Sequence, residues 1–243
     1  GLNEFGIAAY KTVDDFAQRE VAWILSIGGI EVRAGVALGG ELSLAQLCRS
    51  HDAVFLAVGL AGVNALGLEL ENLPGVVDAV EYIAQLRQAR DKTLLPVGRR
   101  VVVIGGGMTA IDIAVQSKRL GAEDVTIVYR RGAEQMGASR FEQELAQHSG
   151  VRIRHWARPV RLVGKEQVTR VEFEYTRIGA DGRLEGTGET FALQADVVFK
   201  AIGQEIAWDE LGAASQVLRV SNGRIGVDAH RKTSLDNVWA GGD

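Results

Sequence analysis

Cysteine is almost absent from this sequence, which has only Cys48 among 243 residues. A single thiol cannot close an internal disulfide, and an iron–sulfur cluster held by this chain alone is excluded because such a cluster normally needs four thiolates. The four histidines show no metal-ligand spacing with Cys48 or with one another. We therefore expect no metal site in this chain and a reducing, cytoplasmic setting.

Long apolar runs and an excess of positive charge are also missing. No stretch reaches the length of a membrane span. Lys and Arg number 27 against 31 Asp and Glu, so the formal net charge is −4. Binding to a phosphate backbone or an anionic bilayer needs a broad cationic surface. We expect neither nucleic acid nor a membrane as a partner.

Proline is scarce, with three residues, while apolar residues make up 47% of the chain. This composition predicts one or two folded domains with a sizeable core. The sequence opens on Gly1 and stops at "VWAGGD", where a predicted strand enters a glycine turn. We expect the chain to be an excised piece of a longer protein.

Strand-like and helix-like patterns alternate from Arg99 onward. Strands are predicted over 101–105, 125–129 and 151–156, and helices over 109–120 and 139–147. This order predicts a Rossmann-like, doubly wound parallel α/β sheet. Strict alternation in "VTRVEFEYTRI" and the turn "ADGR" add an antiparallel β ribbon, and "ADVVFKAIG" returns to the buried parallel type.

The first hundred residues are less regular. Thr12 is a candidate cap for a helix whose apolar positions are Phe16, Ala17, Val21, Ile24 and Ile27. Strands are predicted over 30–36 and 52–59, with a further helix over 76–90. The domain boundary is placed near 96–98, where Pro and Gly occur together.

A glycine turn joins the predicted strand and helix in "VVVIGGGMTAIDIA". The spacing Gly105-x-Gly107-x-x-Ala110 is typical of dinucleotide binding: the first glycine permits the turn, the second leaves room for a pyrophosphate, and the alanine lets helix and strand pack closely. The alternative is a turn that only ends a strand, and the strand, turn, helix, strand context favours a nucleotide. The predicted cofactor-binding residues here are Gly105, Gly106, Gly107, Met108, Thr109 and Ala110.

Asp112 follows in the same helix, and two roles stay open for it. Its carboxylate either accepts hydrogen bonds from N–H groups of the glycine loop or offsets the helix dipole. We include Asp112 among the predicted cofactor-binding residues.

The second strand ends with Tyr129, Arg130 and Arg131. An NAD site usually has an acidic residue at this position, whereas arginine binds an adenosine 2′-phosphate. Arg130 and Arg131 therefore favour NADP(H), the alternative being a solvated pair at a strand end.

Several blocks of the sequence together resemble one family of reductases. They are "EFGIAAYK", "REVAWI", "DAVFLAVG", "VVVIGGGMTAIDIA", "RLGAEDVTIVYRR", "FKAIGQ" and "TSLDNVWAGGD". The chain is similar to the flavin-containing reductase module shared by bacterial glutamate synthase small subunits and dihydropyrimidine dehydrogenases. "EFGIAAYK" and "VFKAIGQ" look closer to the NAD-binding subunit of bacterial dihydropyrimidine dehydrogenase.

The resemblance implies a nicotinamide domain inserted into a flavin domain. We expect residues 1–96 to be a partial FAD-type domain with a connector, residues 97–204 the NAD(P)-binding domain, and residues 205–243 the return to the FAD-type domain. The resemblance also implies further cofactor-binding residues, with "AIGQ" beside the nicotinamide and "GGD" beside the flavin. These are Ala201, Ile202, Gly203 and Gln204, then Gly241, Gly242 and Asp243.

The chemistry implied is hydride transfer from NAD(P)H to FAD, with electrons passed to an iron–sulfur segment or partner subunit. No residue of the chain is expected to act as a catalytic acid or base, since the cofactors carry the reaction. Relatives often have another arginine and "MPA" after the arginine pair, whereas this chain has Gly132-Ala133 and Met136-Gly137-Ala138, which keeps NAD(H) open.

Three roles follow for the parent protein. Pyrimidine reduction is favoured, glutamate synthesis is the alternative, and a non-enzymatic interaction or redox-sensing module on a Rossmann scaffold is the third.

Overall fold

The computed structural model describes residues 1–242. Its helices are α1 (Leu2–Phe5), α2 (Phe16–Ser26), α3 (Leu44–Ser50), α4 (Ala79–Gln88), α5 (Met108–Arg119), α6 (Arg140–His148) and α7 (Ala214–Val217). The first seven strands are β1 (Val54–Leu56), β2 (Gly62–Val63), β3 (Val76–Asp78), β4 (Arg100–Gly105), β5 (Asp124–Val128), β6 (Arg152–Arg154) and β7 (Ala157–Gly164). The others are β8 (Val168–Ile178), β9 (Leu184–Gln194), β10 (Val197–Ala201), β11 (Gln204–Glu205), β12 (Val220–Ser221), β13 (Arg224–Ile225) and β14 (Val238–Ala240).

The chain folds into two units. The first, unit 1, contains Gly1–Ser26 and Ala65–Gly203, and the second, unit 2, contains Ile27–Asn64 with residues 204–242. No helix among residues 1–242 is long and apolar enough to cross a membrane.

Unit 1 is built on a five-stranded parallel sheet with the order β3-β10-β4-β5-β6. The apolar run of β4 alternates between the two faces of this sheet, as side chains of a strand must. Val101 and Val103 pack with α4 and α5 on one face, whereas Val102 and Ile104 face a second core. The predicted parallel α/β fold is confirmed.

An antiparallel sheet of order β7-β8-β9 covers the second face. In β8, Val171 and Phe173 are fully buried and alternate with Arg170, Glu172 and Glu174, which are only partly buried; Val168, at the start of the strand, is also fully buried. The predicted ribbon over 168–178 is therefore confirmed, with β7 as a third strand.

Unit 2 has a small core of its own. Strands β1 and β14 pair in parallel, from Val54 opposite Val238 to Leu56 opposite Ala240. Leu44 of α3 and Leu211, Ala214 and Leu218 around α7 pack against them. β2 pairs with β11, and β12 with β13, as short antiparallel ribbons.

The domain boundaries differ from those expected from the sequence. Residues 1–26 and 65–96, assigned above to a partial flavin-type domain, belong to unit 1. The physical reason is long-range bonding: the Arg87 guanidinium donates to the carbonyls of Asn3, Glu4 and Thr12, and β3 pairs with β10.

Two local predictions near the start also need correction. The helix over 12–27 is present as α2, but its apolar residues are largely exposed, with Val21 54% and Ile24 41% accessible. The segment 30–36 forms no strand. Glycines at positive φ, Gly28, Gly29 and Gly35, break the backbone around it.

Candidate dinucleotide-binding site

Three parallel strands end together at one edge of the unit 1 sheet. β4 lies between β5 and β10, so their carboxyl ends bring together the glycine turn 105–107, the segment 129–131 and the segment 201–203. In open α/β sheets, ligands bind outside this edge, where neighbouring strands continue to opposite sides. The sequence-predicted residues of unit 1 thus meet in one place.

The first two glycines of the turn are required by close packing. Gly105 has φ +146°, and a Cβ on it would overlap the backbone carbonyl of Ala201. A Cβ on Gly106 would overlap the ring of Tyr129. Tyr129 is held there because its hydroxyl donates to the carbonyl oxygen of Gln135 over 2.6 Å. The turn is therefore pressed between the ends of β10 and β5.

Gly107 is different, because nothing in the protein limits a side chain there. It precedes α5 in an extended conformation, and apart from Gly107 and its two chain neighbours no residue within 1–242 has an atom within 4 Å of a Cβ built on it. Across residues 1–242, no hydrogen bond uses the backbone N–H of Gly107, Met108 or Thr109. Unpaired N–H groups and the positive end of a helix dipole are the groups that bind phosphates at a helix start.

Residues 110 and 108 complete this helix start. Ala110 is fully buried, and its small side chain allows α5 to pack closely on the sheet. Met108 is 58% exposed and presents its side chain beside the unpaired amides. The glycine turn and the start of α5 fit a dinucleotide pyrophosphate, because the space beside the Cα of Gly107 is open and a side chain at position 107 would fill it.

Arg130 and Arg131 follow β5 with fixed backbones and exposed side chains. The hydroxyl of Thr176 donates to the carbonyl oxygen of Arg130, and the backbone N–H of Trp156 donates to that of Arg131. Among the ion pairs formed within residues 1–242, neither guanidinium takes part. Both charges are thus available to an anionic ligand.

The loop after the arginines also contacts the glycine turn, which sequence reasoning missed. The backbone N–H of Ala138 donates to the carbonyl oxygen of Gly106 over 3.0 Å, and a Cβ on Gly137 would lie 3.7 Å from the Cα of Gly107. The small residues Gly137 and Ala138 were the available signal in the sequence.

Asp112 is occupied by a distant part of the chain rather than by the glycine loop. It is 3% exposed and accepts hydrogen bonds from the backbone N–H of Ala8 and the hydroxyl of Tyr10, both over 3.1 Å. Lys11 Nζ lies 2.7 Å from its Oδ1. Burial, followed by the charge and hydrogen bond of Asp112, raises the pKa of Tyr10 above its usual range. Direct contact with a cofactor does not fit this geometry.

The segment 201–203 is anchored by an ion cluster at its start. Lys200 Nζ lies 3.2 Å from Glu71 Oε1 and 3.0 Å from Asp78 Oδ1. Burial lowers the pKa of Lys200, but its bonds to the two carboxylates outweigh burial and raise it overall. Lys200 is therefore a structural cation here. Gln204 falls in unit 2, where its amide donates to the carbonyl oxygen of Leu60 over 2.7 Å.

Unit 2 has a cavity of about 160 Å³ at the carboxyl ends of β1 and β14. Gly59, Gly241 and Gly242 line it, together with Arg224 and Arg231. Glycines and arginines at such an edge fit a phosphate-containing group, because they combine close backbone approach with positive charge. Asp243, the remaining predicted flavin residue, lies outside the described residues.

Comparison with known proteins agrees with this geometry. The chain matches the family model described as pyridine nucleotide-disulphide oxidoreductase over residues 12–243. It is 35% identical over 263 aligned residues to the small chain of glutamate synthase (NADPH) from Escherichia coli, covering 100% of this chain and 56% of that protein. It is 34% identical over 219 residues to the beta subunit of NADPH-Fe(3+) oxidoreductase from Geobacter sulfurreducens, covering 84% of this chain and 32% of that protein. The chain therefore spans about half or less of the length of these relatives.

Solved structures support the fold. FprA, an oxidoreductase from Mycobacterium tuberculosis, superposes with a TM-score of 0.80 at 19% identity, covering 100% of this chain and 69% of that chain. A structure of FprA in complex with NADPH gives a TM-score of 0.79 at 19% identity, with the same coverage. The match to the family model over nearly the whole length, together with the identity to curated relatives, shows that the chain belongs to the pyridine nucleotide-disulphide oxidoreductase family.

Proposed function

We propose that unit 1 binds NADPH or NADH, with the pyrophosphate on the glycine turn and the start of α5. The observation that carries this proposal is the row of unpaired N–H groups at Gly107, Met108 and Thr109, together with the open space beside the Cα of Gly107. A free helix start in the middle of a parallel sheet edge is the arrangement used for nucleotide phosphates.

We propose NADPH as the preferred dinucleotide. Arg130 and Arg131 place two unpaired guanidinium groups after β5, where the adenosine ribose of a bound dinucleotide lies. The two relatives described above carry NADPH in their names. NADH stays the alternative because the loop 132–138 supplies no further arginine.

The chain's own residues bind and orient the cofactor in this proposal and supply no acid or base. When bound, the nicotinamide supplies a hydride that a flavin accepts and passes on as single electrons. The glycine-lined cavity of unit 2 supports its assignment to part of an FAD site. The single Cys48 leaves no disulphide within this chain, so its electron acceptor is not a disulphide of its own.

For the parent protein we propose electron transfer to an iron–sulfur segment or partner subunit, with pyrimidine reduction as the final reaction. The blocks "EFGIAAYK" and "VFKAIGQ" support pyrimidine reduction. Glutamate synthesis is the second candidate, because the small chain of glutamate synthase is 35% identical. Assaying the longer protein with uracil, and with 2-oxoglutarate plus glutamine, separates the two. A redox-sensing module without flavin chemistry would show dinucleotide binding but no reductase activity.

The glycine turn gives the sharpest test of dinucleotide binding. Gly107→Ala adds a methyl group where no protein atom interferes, so the fold should be kept while the fluorescence-measured Kd for NADPH and NADH rises about tenfold. Gly105→Ala should instead destabilise the chain by about 2–4 kcal/mol, because its Cβ meets the Ala201 carbonyl at a positive φ.

Gly40→Ala is the matched control, since a Cβ there makes only ordinary contact, 3.7 Å from the carbonyl of Ala37. It should change neither affinity nor thermal stability. Absence of NADPH and NADH binding at millimolar concentration by the unaltered chain would refute the proposal, as would full affinity in Gly107→Ala.

A further inference from the structure

An N-terminal strap, residues 8–11, lies against the nucleotide-binding helix α5. The backbone N–H of Ala8 and the hydroxyl of Tyr10 donate to Asp112, and the backbone N–H of Ala9 donates to Gln116 over 3.2 Å. The guanidinium of Arg119 stacks over the ring of Tyr10, 4.3 Å from its centre. The strap thus follows α5 from Asp112 in its second turn to Arg119 at its end.

Lys11 ends the strap between two carboxylates on two helices. Its Nζ lies 2.7 Å from Asp112 of α5 and 2.8 Å from Glu142 of α6. Burial lowers the pKa of Lys11, but its bonds to Asp112 and Glu142 outweigh burial and raise it overall. Burial raises the pKa of Glu142, and the bonds from Lys11 and Ser139 more than reverse this. All three groups are therefore in a strongly paired, mostly buried cluster.

This cluster stands close to the phosphate-binding end of α5. Asp112 comes four residues after Met108, so it lies about 6 Å further along the helix axis. A buried carboxylate at that distance opposes the positive potential that the unpaired N–H groups offer to a pyrophosphate, because the low-dielectric interior screens charge poorly. Asp112 and Glu142 carry two negative charges there, and Lys11 carries one positive charge.

We propose that Lys11 is a positioning residue for the dinucleotide, offsetting Asp112 and Glu142 so that the start of α5 keeps its affinity for a pyrophosphate. This inference rests on the proposed function of unit 1. Lys11 acts through Asp112 and needs no contact with the nucleotide. Since the pyrophosphate is common to both cofactors, the effect is the same for NADPH and NADH.

An electrostatic role and a purely mechanical role of the strap predict different cofactor affinities for a single variant and a double variant. Lys11→Met changes the sum of the three charges from −1 to −2, and Lys11→Met with Asp112→Asn returns it to −1. If the strap acts only as a mechanical clamp, Asp112→Asn removes further hydrogen bonds, and the double variant binds no better than Lys11→Met.

The experiment measures the Kd of the 243-residue chain for NADPH and NADH by fluorescence titration at low salt. We expect Lys11→Met to weaken both cofactors about fivefold, Asp112→Asn to bind at least as well as the unaltered chain, and the double variant to return to within about twofold of it. Lys165→Met, which removes an exposed lysine from the β7–β8 turn, should leave both Kd values unchanged.

Glu142→Gln provides a second route if Lys11→Met does not fold. Glutamine preserves the capping arrangement with Ser139 and leaves the Lys11–Asp112 pair in place. It removes one negative charge, so we expect both cofactors to bind about twofold tighter.

A double variant as weak as Lys11→Met, or unchanged affinity in both Lys11→Met and Glu142→Gln, would overturn the inference while leaving the proposed function intact. Absence of cofactor binding by the unaltered chain would remove both.

Discussion

At the level of single residues, Arg130 and Arg131 differ from most arginines of unit 1 in having no carboxylate partner in the part of the chain that the structure describes. Most arginines around the two sheets of unit 1 are paired, as Arg158 is with Glu174 and Arg100 with Asp196. Arg130 and Arg131 have exposed guanidinium groups and no carboxylate partner within residues 1–242. An unpaired guanidinium at the end of β5 has its full charge and its planar donor set available for a phosphate.

Arg130→Ala should therefore weaken NADPH far more than NADH. A charge-assisted hydrogen bond to phosphate contributes about 1.5–3 kcal/mol, which corresponds to roughly a ten- to hundredfold rise in the Kd for NADPH. NADH, which lacks the 2′-phosphate, should change by less than about twofold. Parallel fluorescence titrations measure both constants. Arg90→Ala, which removes another exposed arginine of unit 1, is the control, and an equal loss for both cofactors would exclude Arg130 from the phosphate site.

At the level of elements, the ion cluster around Lys200 links the segment before β3 to the end of β10. The carboxylate of Glu71 accepts hydrogen bonds from the backbone N–H groups of Leu66 and Gly67 over 2.7 and 3.0 Å and forms an ion pair with Lys200. Both side chains are mostly buried, 12% and 13% exposed. Burial raises the pKa of Glu71, but the hydrogen bonds from the backbone of Leu66 and from Lys200, with the charge of Lys200, lower it by more, so the net pKa lies below the ordinary value of 4.5.

The stability of the chain should consequently depend on Glu71 in acid. A carboxylate whose pKa is lowered by folding stabilises the fold above its unfolded pKa, and this contribution is lost as the pH falls through the folded pKa. Glu71→Gln should reduce the free energy of unfolding by about 1–2 kcal/mol at pH 7. Below pH 4.5 the difference from the unaltered chain should shrink, because the unfolded chain then binds a proton at Glu71 that the folded chain binds only at a lower pH.

Urea unfolding at pH 7 and at pH 3.5 measures this difference. Glu166→Gln, at an exposed residue of the β7–β8 turn, should have no effect at either pH. A deficit in Glu71→Gln that stays constant between the two pH values would show that packing, and not the charge, is responsible.

Elements were predictable where local pattern and tertiary environment agree. The apolar run of β4 and the small, apolar face of α5 are buried in one core, so their periodicity reported their structure. In α2 the same periodicity correctly predicted a helix. It did not predict which side chains are buried, since Val21 and Trp23 are exposed. For segment 30–36, β-branched residues suggested a strand, but no neighbouring strand pairs with it.

At the level of the whole molecule, the sequence indicated where the glycine turn and the strand-end arginines lie, whereas the compact units of the structure divide the chain differently from the expected domains. Those boundaries depend on bonds between residues more than eighty positions apart, such as Arg87 to Asn3 and Ala8 to Asp112. Such contacts leave no periodic signal in a single sequence. For the same reason the sequence indicated that Asp112 lies in α5 but not that Ala8 and Tyr10 are its hydrogen-bond partners.

The division into two units leads to a prediction for the whole chain. A ligand that binds only the native state stabilises the part that holds it, by about 2.7 kcal/mol at one hundred times Kd, which slows amide exchange through opening of that part roughly a hundredfold. NADPH should therefore protect unit 1, above all residues 105–110 and 129–138, in hydrogen–deuterium exchange read by mass spectrometry. Peptides from Ile27–Asn64 and from 204–242 should exchange at nearly unchanged rates in the absence of flavin. Gly107→Ala at the same NADPH concentration is the control and should show only about tenfold protection, because its Kd is expected to be about tenfold higher. Equal protection of both units would contradict this prediction, because it would mean either that the dinucleotide contacts both units or that the two units open together.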